Sequence, residues 1–202
     1  TKMLRTVPQS QNSHILSWKD DFGMTVLHCA ARSTVNFDCI RSILNSLTEA
    51  ERLQVVSMQD RIERTALHDA ANSGSAQLMK TVIELWPESQ RLQAVHMQDK
   101  FGMTVLHCVA RKGYLESIET ILALYPQSQR LQAVTMPDRQ GRTVLHWAAY
   151  SGNLDSIRTI LSHCPESERS HAVNIRDRKG YTVLQTASEV TRESIMKMLP
   201  VD

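Results

Sequence analysis

An internal repeat runs through this chain of 202 residues and restricts its fold more than any other property of the sequence. The segment Thr-x-Leu-His, which becomes Thr-Val-Leu-Gln in the last copy, recurs five times, and successive copies start 40, 39, 39 and 39 residues apart. The copies begin at Thr25, Thr65, Thr104, Thr143 and Thr182. A chain of such similar units folds as a stack of one repeated motif, in which each unit packs mainly against its neighbours.

Each unit is predicted to form a turn followed by two helices. An Asp stands five residues before each Thr, and a Gly stands two residues before it in four units, with Glu63 at that position in the second. Asp side chains accept hydrogen bonds from nearby backbone amides, Gly tolerates positive φ, and Thr suits a helix N-cap. In the fourth unit the apolar residues Leu154, Ile157, Ile160 and Leu161 follow with helical spacing. The predicted fold class is therefore all-α.

A patterned segment, Pro-x-Ser-x-Arg-Leu-x-Ala-Val, precedes the next turn. It begins at Pro87 and Pro126, recurs at Pro165 with Ser in place of Leu, and starts with Thr48 in the first unit. A Pro at the first helical position, followed by good helix formers, predicts an additional short helix in each unit.

The repeat also predicts the domain boundaries. Pro8 precedes Asp20 by the same spacing that separates Pro126 from Asp138, so the parent chain is expected to continue N-terminally. The last unit departs from the pattern at Gln185, as expected for a terminal cap, although a truncated repeat would depart in the same way. The predicted segments are the tail of a preceding repeat (1–19), repeats one to four (20–59, 60–98, 99–137, 138–176) and a degenerate repeat or cap (177–202).

The pattern Asp-x-x-Gly-x-Thr-x-Leu-His-x-Ala-Ala-x-x-Gly, followed by an apolar helix, resembles the ankyrin repeat from about residue 20 to 200. Two features differ from that family. Val or Ala follows Thr where the family usually has Pro, and the unit has 39 residues where the family usually has 33. The resemblance implies an ankyrin-type solenoid that binds other proteins with its turn tips and with the exposed face of the first helix. The Pro-x-Ser-x-Arg-Leu insertion also resembles arrays in effector proteins of intracellular bacteria, which would place the partner in a host cell.

Carrying the family's binding positions onto this chain selects a predicted partner-binding surface. Among the 25 turn-tip and first-helix positions chosen in this way, ten are Lys or Arg and two are Asp or Glu, although the whole chain has a net charge of only +2. The surface is thus predicted to be basic and studded with aromatic residues, which suits an acidic or amphipathic partner. The alternative is that these cations only keep the turn tips soluble, and Trp147 alone is equally compatible with packing between repeats. The predicted contacts are Phe22, Met24, Arg32, Ile62, Arg64, Lys100, Phe101, Met103, Arg111, Arg142, Trp147 and Tyr150.

No residue pattern indicates catalysis, a cofactor or a metal. The histidines at 28, 68, 107 and 146 are one repeat apart, and equivalent positions in stacked helices are separated by about 8 to 10 Å, too far to share one zinc ion. In the family that this chain resembles, this His ties the turn to the first helix by hydrogen bonds. A nucleophile elbow, a phosphate-binding Gly-rich loop and a His-Glu-x-x-His motif are all absent from the sequence. We therefore expect no enzymatic activity within these residues.

Protein recognition in the cytoplasm is the predicted function. The four cysteines show no close pairing, which favours reduced thiols, and no run of apolar residues is long enough to cross a bilayer. For an effector, the compartment would be the host cell cytosol. A second hypothesis is that the array recruits substrates for a catalytic domain outside these 202 residues. A third, binding of nucleic acid or anionic lipid, is ranked last because apolar tips are not needed to contact phosphates.

Overall fold

The structure, a computed structural model, describes residues 9–33 and 37–199. Residues 1–8 of the predicted tail and residues 200–202 of the predicted cap therefore lie outside the described part of the chain. The chain divides into two compact units, an N-terminal unit of residues 1–97 and a C-terminal unit of residues 98–202, each of which is described by itself. Within the described residues the fold is all-helical and contains no strand, which confirms the predicted class.

The N-terminal unit consists of seven helices in its described residues. Helix α2 packs against α5, and α5 packs against α6, so that the leucines Leu27 and Leu67 are completely buried. The helices are α1 (Gln9–Leu16), α2 (Val26–Ser33), α3 (Phe37–Asn45), α4 (Glu49–Val56), α5 (Ala66–Ser73), α6 (Ala76–Glu84) and α7 (Arg91–His96). A 3₁₀ turn (Glu88–Gln90) precedes α7.

The C-terminal unit repeats the same pattern. The helices are α8 (Val105–Lys112), α9 (Leu115–Ala123), α10 (Gln127–Thr135), α11 (Val144–Tyr150), α12 (Leu154–Ser162), α13 (Glu166–Asn174), α14 (Val183–Thr186) and α15 (Glu189–Met196). The first helices of successive repeats, α8, α11 and α14, pack against each other in order, and so do the second helices, α9, α12 and α15.

The additional helix predicted in each unit is confirmed as α4, α7, α10 and α13. The predicted position of Pro is wrong by one residue, because Pro126 and Pro165 are the N-caps of α10 and α13 rather than their first helical residues. Thr48, which replaces Pro in the first unit, forms a capping box with Glu51. A side-chain cap can therefore substitute for the fixed φ of Pro at this position.

Each turn is held together by its Asp. The Oδ1 atom of Asp99 accepts hydrogen bonds of 2.9 Å from the backbone N–H groups of Phe101 and Met103, and the other four turn Asp residues accept the same pair of bonds. These bonds fold the tip back onto the start of the following helix. In the C-terminal unit, neighbouring turns are joined directly, since the Arg139 N–H donates to the Phe101 carbonyl over 2.9 Å.

In the first, third and fourth repeats the repeated His ties the first helix to the following unit. The backbone N–H of Thr104 donates to His107 Nδ1 over 3.1 Å, so Nε2 carries the ring proton and donates to the Met136 carbonyl over 3.1 Å. His28 and His146 donate in the same way to the carbonyls of Arg64 and Tyr181. Burial lowers the pKa of His107 to about 4, so the ring is neutral at pH 7. The predicted structural role of these histidines is confirmed.

The last first-helix, α14, has only four residues. Gln185 takes the place of His, and its Oε1 accepts a hydrogen bond from the backbone N–H of Thr182 over 3.0 Å. Ser188 then caps α15, because its hydroxyl accepts from the Thr191 N–H. The change from Ala-Ala to Ala187-Ser188 thus ends one helix early and begins the next.

Candidate functional site

The predicted contact residues fall into two groups, one in each compact unit. All five predicted residues of the N-terminal unit line a single cavity of about 370 Å³. We call these residues, together with the other two that line the cavity, the N-terminal tip cluster: Phe22, Met24, Arg32, Asp60, Arg61, Ile62 and Arg64. In the C-terminal unit, contacts with Trp147 bring together Arg111, Arg142 and Tyr150. We call these four residues, together with the predicted turn-tip residues of the third repeat, the C-terminal tip cluster: Lys100, Phe101, Arg111, Arg142, Trp147 and Tyr150.

The exposure of the aromatic tips agrees with a contact surface. Phe22 is 68% exposed, Phe101 54% and Tyr150 67%. Aromatic side chains that remain this open to water are available for contact with another molecule.

The prediction that Met103 is an exposed contact is wrong, because the residue is only 5% exposed. Met103 immediately precedes the N-cap Thr104, at the position called N′, and a hydrophobic residue there tends to pack against the fourth helical residue, N4. In this helix N4 is Cys108, which is also buried. Met24 occupies the same N′ position in the first unit and is half-buried.

The N′ and N4 positions carry different chemistry in the other units. In the second unit they are Arg64 and Asp69, whose Nη1 and Oδ1 atoms are 3.6 Å apart. In the fourth unit they are Arg142 and Trp147, and the guanidinium carbon lies 5.0 Å from the centroid of the indole ring. Asp69 was not selected from the sequence as a candidate residue. The signal that would have revealed it is the paired change of N′ and N4 between repeats.

Arg64 is held inside its own turn. Its Nε and Nη2 atoms donate to Asp60 Oδ2 over 3.1 and 2.8 Å. Although burial raises the pKa of Asp60, hydrogen bonds from the backbone and side chain of Arg64 outweigh burial and bring the pKa below its usual value. Most of the charge of Arg64 is therefore compensated within the fold, and its side chain is only 22% exposed.

Asp69 is a buried carboxylate whose Oδ2 atom has no hydrogen-bond partner among the described residues. Its side chain is 2% exposed. Burial raises the pKa of Asp69, and the positive charges of Arg64 and Arg32 oppose this effect only partly. An unpartnered buried oxygen costs stability, so this position is one at which the fold alone does not explain the residue.

Trp147 is the centre of the C-terminal tip cluster. Its Nε1–H donates to Asp138 Oδ2 over 3.0 Å, which fixes the ring against its own turn. The guanidinium carbon of Arg111 lies 5.6 Å from the ring centroid, and Tyr150 meets the ring edge to face with centroids 6.0 Å apart. The indole is half-buried. The ring is thus oriented by the fold while it still presents cationic and aromatic neighbours at the surface.

The turn aspartates reduce the charge of the surface below the sequence estimate. Arg142 Nε lies 3.9 Å from Asp177 Oδ2, and Arg64 is paired with Asp60 and Asp69. The 25 positions counted from the sequence left these carboxylates out. Arg64 and Arg142 therefore act mainly as structural cations, and the exposed positive charge lies on their neighbours.

A second cavity, of about 210 Å³, lies between the turns of the fourth and fifth repeats. It is lined by Arg142, Asp177, Lys179, Tyr181, Gln185 and Thr186. It occupies the place that the 370 Å³ cavity occupies between the first and second repeats, but it has Lys179 where that cavity has Ile62.

The cysteines and histidines of the described residues form no visible reaction centre. Burial raises the pKa of the Cys164 thiol to about 11, which keeps it protonated at pH 7. Within residues 9–33 and 37–199, no group of three or more His, Cys, Asp or Glu side chains is arranged to hold a metal ion. Across the same residues, no helix is both long enough and apolar enough to span a membrane.

Comparison with protein families agrees with this geometry. Residues 89–169 match the family described as ankyrin repeats, in three copies. These residues are ankyrin repeats. A search of curated proteins found no match to the chain. Ankyrin repeats in general are protein–protein interaction modules, and the family is typically non-catalytic. The C-terminal tip cluster lies within the matched residues, and the function of such a scaffold depends on the side chains that it presents.

Proposed function

We propose that this chain recognises an acidic or amphipathic segment of another protein through its turn tips and the exposed faces of its first helices. The observation that supports this proposal is the C-terminal tip cluster, in which Arg111 and Arg142 lie over Trp147 beside the exposed ring of Tyr150. Trp, Tyr and Arg are the residues that most often dominate binding energy at protein interfaces.

The cluster is also preorganised. The hydrogen bond from Trp147 to Asp138 and the contact with Arg142 hold the indole in one orientation before a partner arrives. A side chain that is already ordered loses less conformational entropy when it is covered, so more of the contact energy appears as affinity.

The charges on the tips favour an acidic partner. Lys100, Arg139 and Arg178 each follow the Asp of their turn, and all three are exposed. Cations at the rim of an interface mainly accelerate association and select against positively charged partners. The resemblance to effector arrays adds the proposal that the partner is a host protein.

The test is affinity capture from cell lysate, with cross-linking and mass spectrometry to locate the contact. The surface variant carries Lys100→Glu, Arg111→Glu and Lys112→Glu. The control carries the same charge change on outer helices and near the C-terminus, as Arg41→Glu, Arg158→Glu and Lys197→Glu. The ion pairs of Arg41 and Arg158 are exposed and contribute little to stability. Circular dichroism checks the folding of all three proteins.

We expect proteins that are retained by the wild type and the control and lost by the surface variant, with cross-links from the tips to Asp- or Glu-rich segments. Equal retention by all three proteins, or cross-links confined to the outer helices, would contradict the proposal.

A further inference from the structure

The 370 Å³ cavity of the N-terminal unit combines apolar walls with cations at its edge. Resting on the proposed function, we infer that it is an anchor site for one aromatic or branched aliphatic side chain of the partner, with an acidic residue next to that side chain in the partner's sequence.

The walls determine the apolar part of this occupant. Phe22 is 68% exposed, and Met24 and Ile62 are half-buried, so three large apolar side chains border an open space. The volume is at the lower end of the range for ligand pockets, and it suits one large side chain rather than an extended cofactor. An apolar side chain placed there would remove these three residues from water.

The two exposed arginines that line the cavity indicate the acidic part of the occupant. Arg32 and Arg61 line the cavity and are exposed, and among the described residues neither forms an ion pair with a carboxylate. The recorded hydrogen bond of Arg32 runs from its Nη1 to the sulfur of Met24 over 3.1 Å. Two cations of this kind at the mouth of an apolar cavity are complementary to a carboxylate beside the anchor residue.

Arg64 and Asp69 explain why the acidic group belongs at the mouth and not inside. Arg64 is already bound to Asp60, and behind it lies the buried carboxylate of Asp69 with its unpartnered oxygen. A second carboxylate placed beside Asp69 would be repelled by it. The apolar part of the occupant therefore points inward, and the acidic part stays with Arg32 and Arg61.

The cavity between the fourth and fifth repeats provides an internal comparison. Where the N-terminal cavity has Ile62, the equivalent turn position is Lys179, and where it has Arg64 the equivalent is Tyr181. The turn position of Ile62 is thus apolar in one unit and charged in the other, and the C-terminal cavity is also smaller, so we expect the anchor side chain to select the N-terminal cavity.

The experiment is a titration of the full 202-residue chain, followed by amide shifts in NMR, with three short synthetic peptides. One carries Glu-Phe-Glu, a second replaces Phe by Ala, and a third replaces both Glu residues by Lys. We expect Glu-Phe-Glu to shift the amides of Phe22, Arg61 and Ile62, and either replacement to weaken binding by about tenfold or more, as for the loss of one anchor.

Two variants complete the test. Ile62→Lys copies Lys179 of the C-terminal cavity, and Arg61→Gln removes one cation from the mouth of the N-terminal cavity. Each substitution should weaken binding of Glu-Phe-Glu while the circular dichroism spectrum stays unchanged. Equal binding of all three peptides, shifts that map to Lys179 and Tyr181, or binding that Ile62→Lys leaves intact would overturn the inference. So would equally tight binding of free 4-phenylbutyrate, because the site would then take a small organic anion.

The anchor site and the proposed function can fail separately. Capture of a partner that depends on Lys100, Arg111 and Lys112, while no peptide binds to this cavity, would overturn the anchor site alone. Peptide binding without such capture would overturn the proposed function.

Discussion

The guanidinium carbon of Arg142 lies 5.0 Å from the centre of the Trp147 ring, and the two residues occupy the N′ and N4 positions of one helix. In other repeats the same two positions hold Met103 with Cys108 and Arg64 with Asp69. The N′ and N4 positions therefore hold an apolar pair in one repeat, an ion pair in another and a cation–π pair in a third. The first stabilises the helix start, whereas the other two also place charge and aromatic surface at the tip.

A double-mutant cycle tests the cation–π pair. Arg142→Met and Trp147→Cys recreate, singly and together, the pair found at Met103 and Cys108. We expect a coupling free energy of about 0.5–1 kcal/mol between Arg142 and Trp147, because the interaction at a partly exposed site has this size. Urea unfolding of the four proteins measures it. If the two substitutions change the free energy of unfolding additively, the ring and the guanidinium do not interact. The control is Arg158→Met, which makes the same substitution at an exposed outer position without an aromatic partner.

Asp69→Asn should stabilise the protein at pH 7 by roughly 1 kcal/mol, because it removes a buried charge whose Oδ2 is unpartnered. Burial raises the pKa of Asp69 in the folded state, so the folded protein binds this proton more tightly than the unfolded chain. Stability from this group is therefore present at low pH and is lost as the pH rises through the folded pKa. The advantage of the Asn variant should accordingly shrink as the pH is lowered toward 4.

Asp60→Asn should change the stability at pH 7 in the opposite direction to Asp69→Asn. The folded pKa of Asp60 is lowered, so its contribution is present above its usual pKa and is lost as the pH falls. This variant should be less stable than the wild type at pH 7. If Asp69→Asn also destabilised the protein at pH 7, the unpartnered carboxylate would be shown to stabilise the fold after all.

Acid should destabilise the C-terminal unit through His107. The ring is neutral in the folded state with a pKa of about 4, whereas the unfolded chain takes up the proton near pH 6.5. Its contribution is therefore complete above pH 6.5 and is lost as the pH falls, by roughly 2 kcal/mol at pH 5. Unfolding curves between pH 7.5 and 5 should show this loss, and His107→Gln, which copies Gln185, should show a smaller pH dependence. An unchanged pH dependence in this variant would locate the acid sensitivity elsewhere.

Glu63→Gly should stabilise the second turn by about 1 kcal/mol, because Glu63 has a φ of +62°, in the left-handed region that disfavours side chains with a Cβ. The reverse change, Gly102→Ala, should destabilise by more. A Cβ at Gly102 would lie 2.6 Å from the backbone nitrogen of Arg139, in addition to the strain of a φ of +78°. Thermal unfolding of the two single variants provides the test, and a lower melting temperature for Glu63→Gly would contradict the prediction.

The sequence predicted the helices and turns well because each of their determinants is local and recurs. Asp99, Thr104 and His107 bond within one turn and helix start, and five copies of the pattern reinforce each other. The degenerate last unit was predicted, but the shortness of its first helix was not, since that depends on which of two caps the backbone adopts.

The candidate surface was predicted less well because its properties depend on neighbouring turns. Counting charges gave a strongly basic face, but Arg142 lies 3.9 Å from Asp177, a residue 35 positions away. The burial of Met103 was missed because the tip was treated as wholly exposed, whereas its last residue turns toward the helix start. The cavity at Phe22 and Ile62 likewise joins two repeats that are far apart in sequence.

Neighbouring turns in this fold are joined by backbone hydrogen bonds, from Arg61 N–H to the Phe22 carbonyl and from Arg139 and Arg178 N–H to the carbonyls of Phe101 and Gln140. Because no side chain takes part in these bonds, the identity of a tip residue does not set the spacing between turns. An exposed tip side chain can therefore be replaced without a change in the spacing between the turns. Substitutions at exposed tip positions can therefore change the chemistry that the turns present while the backbone bonds between the turns stay the same.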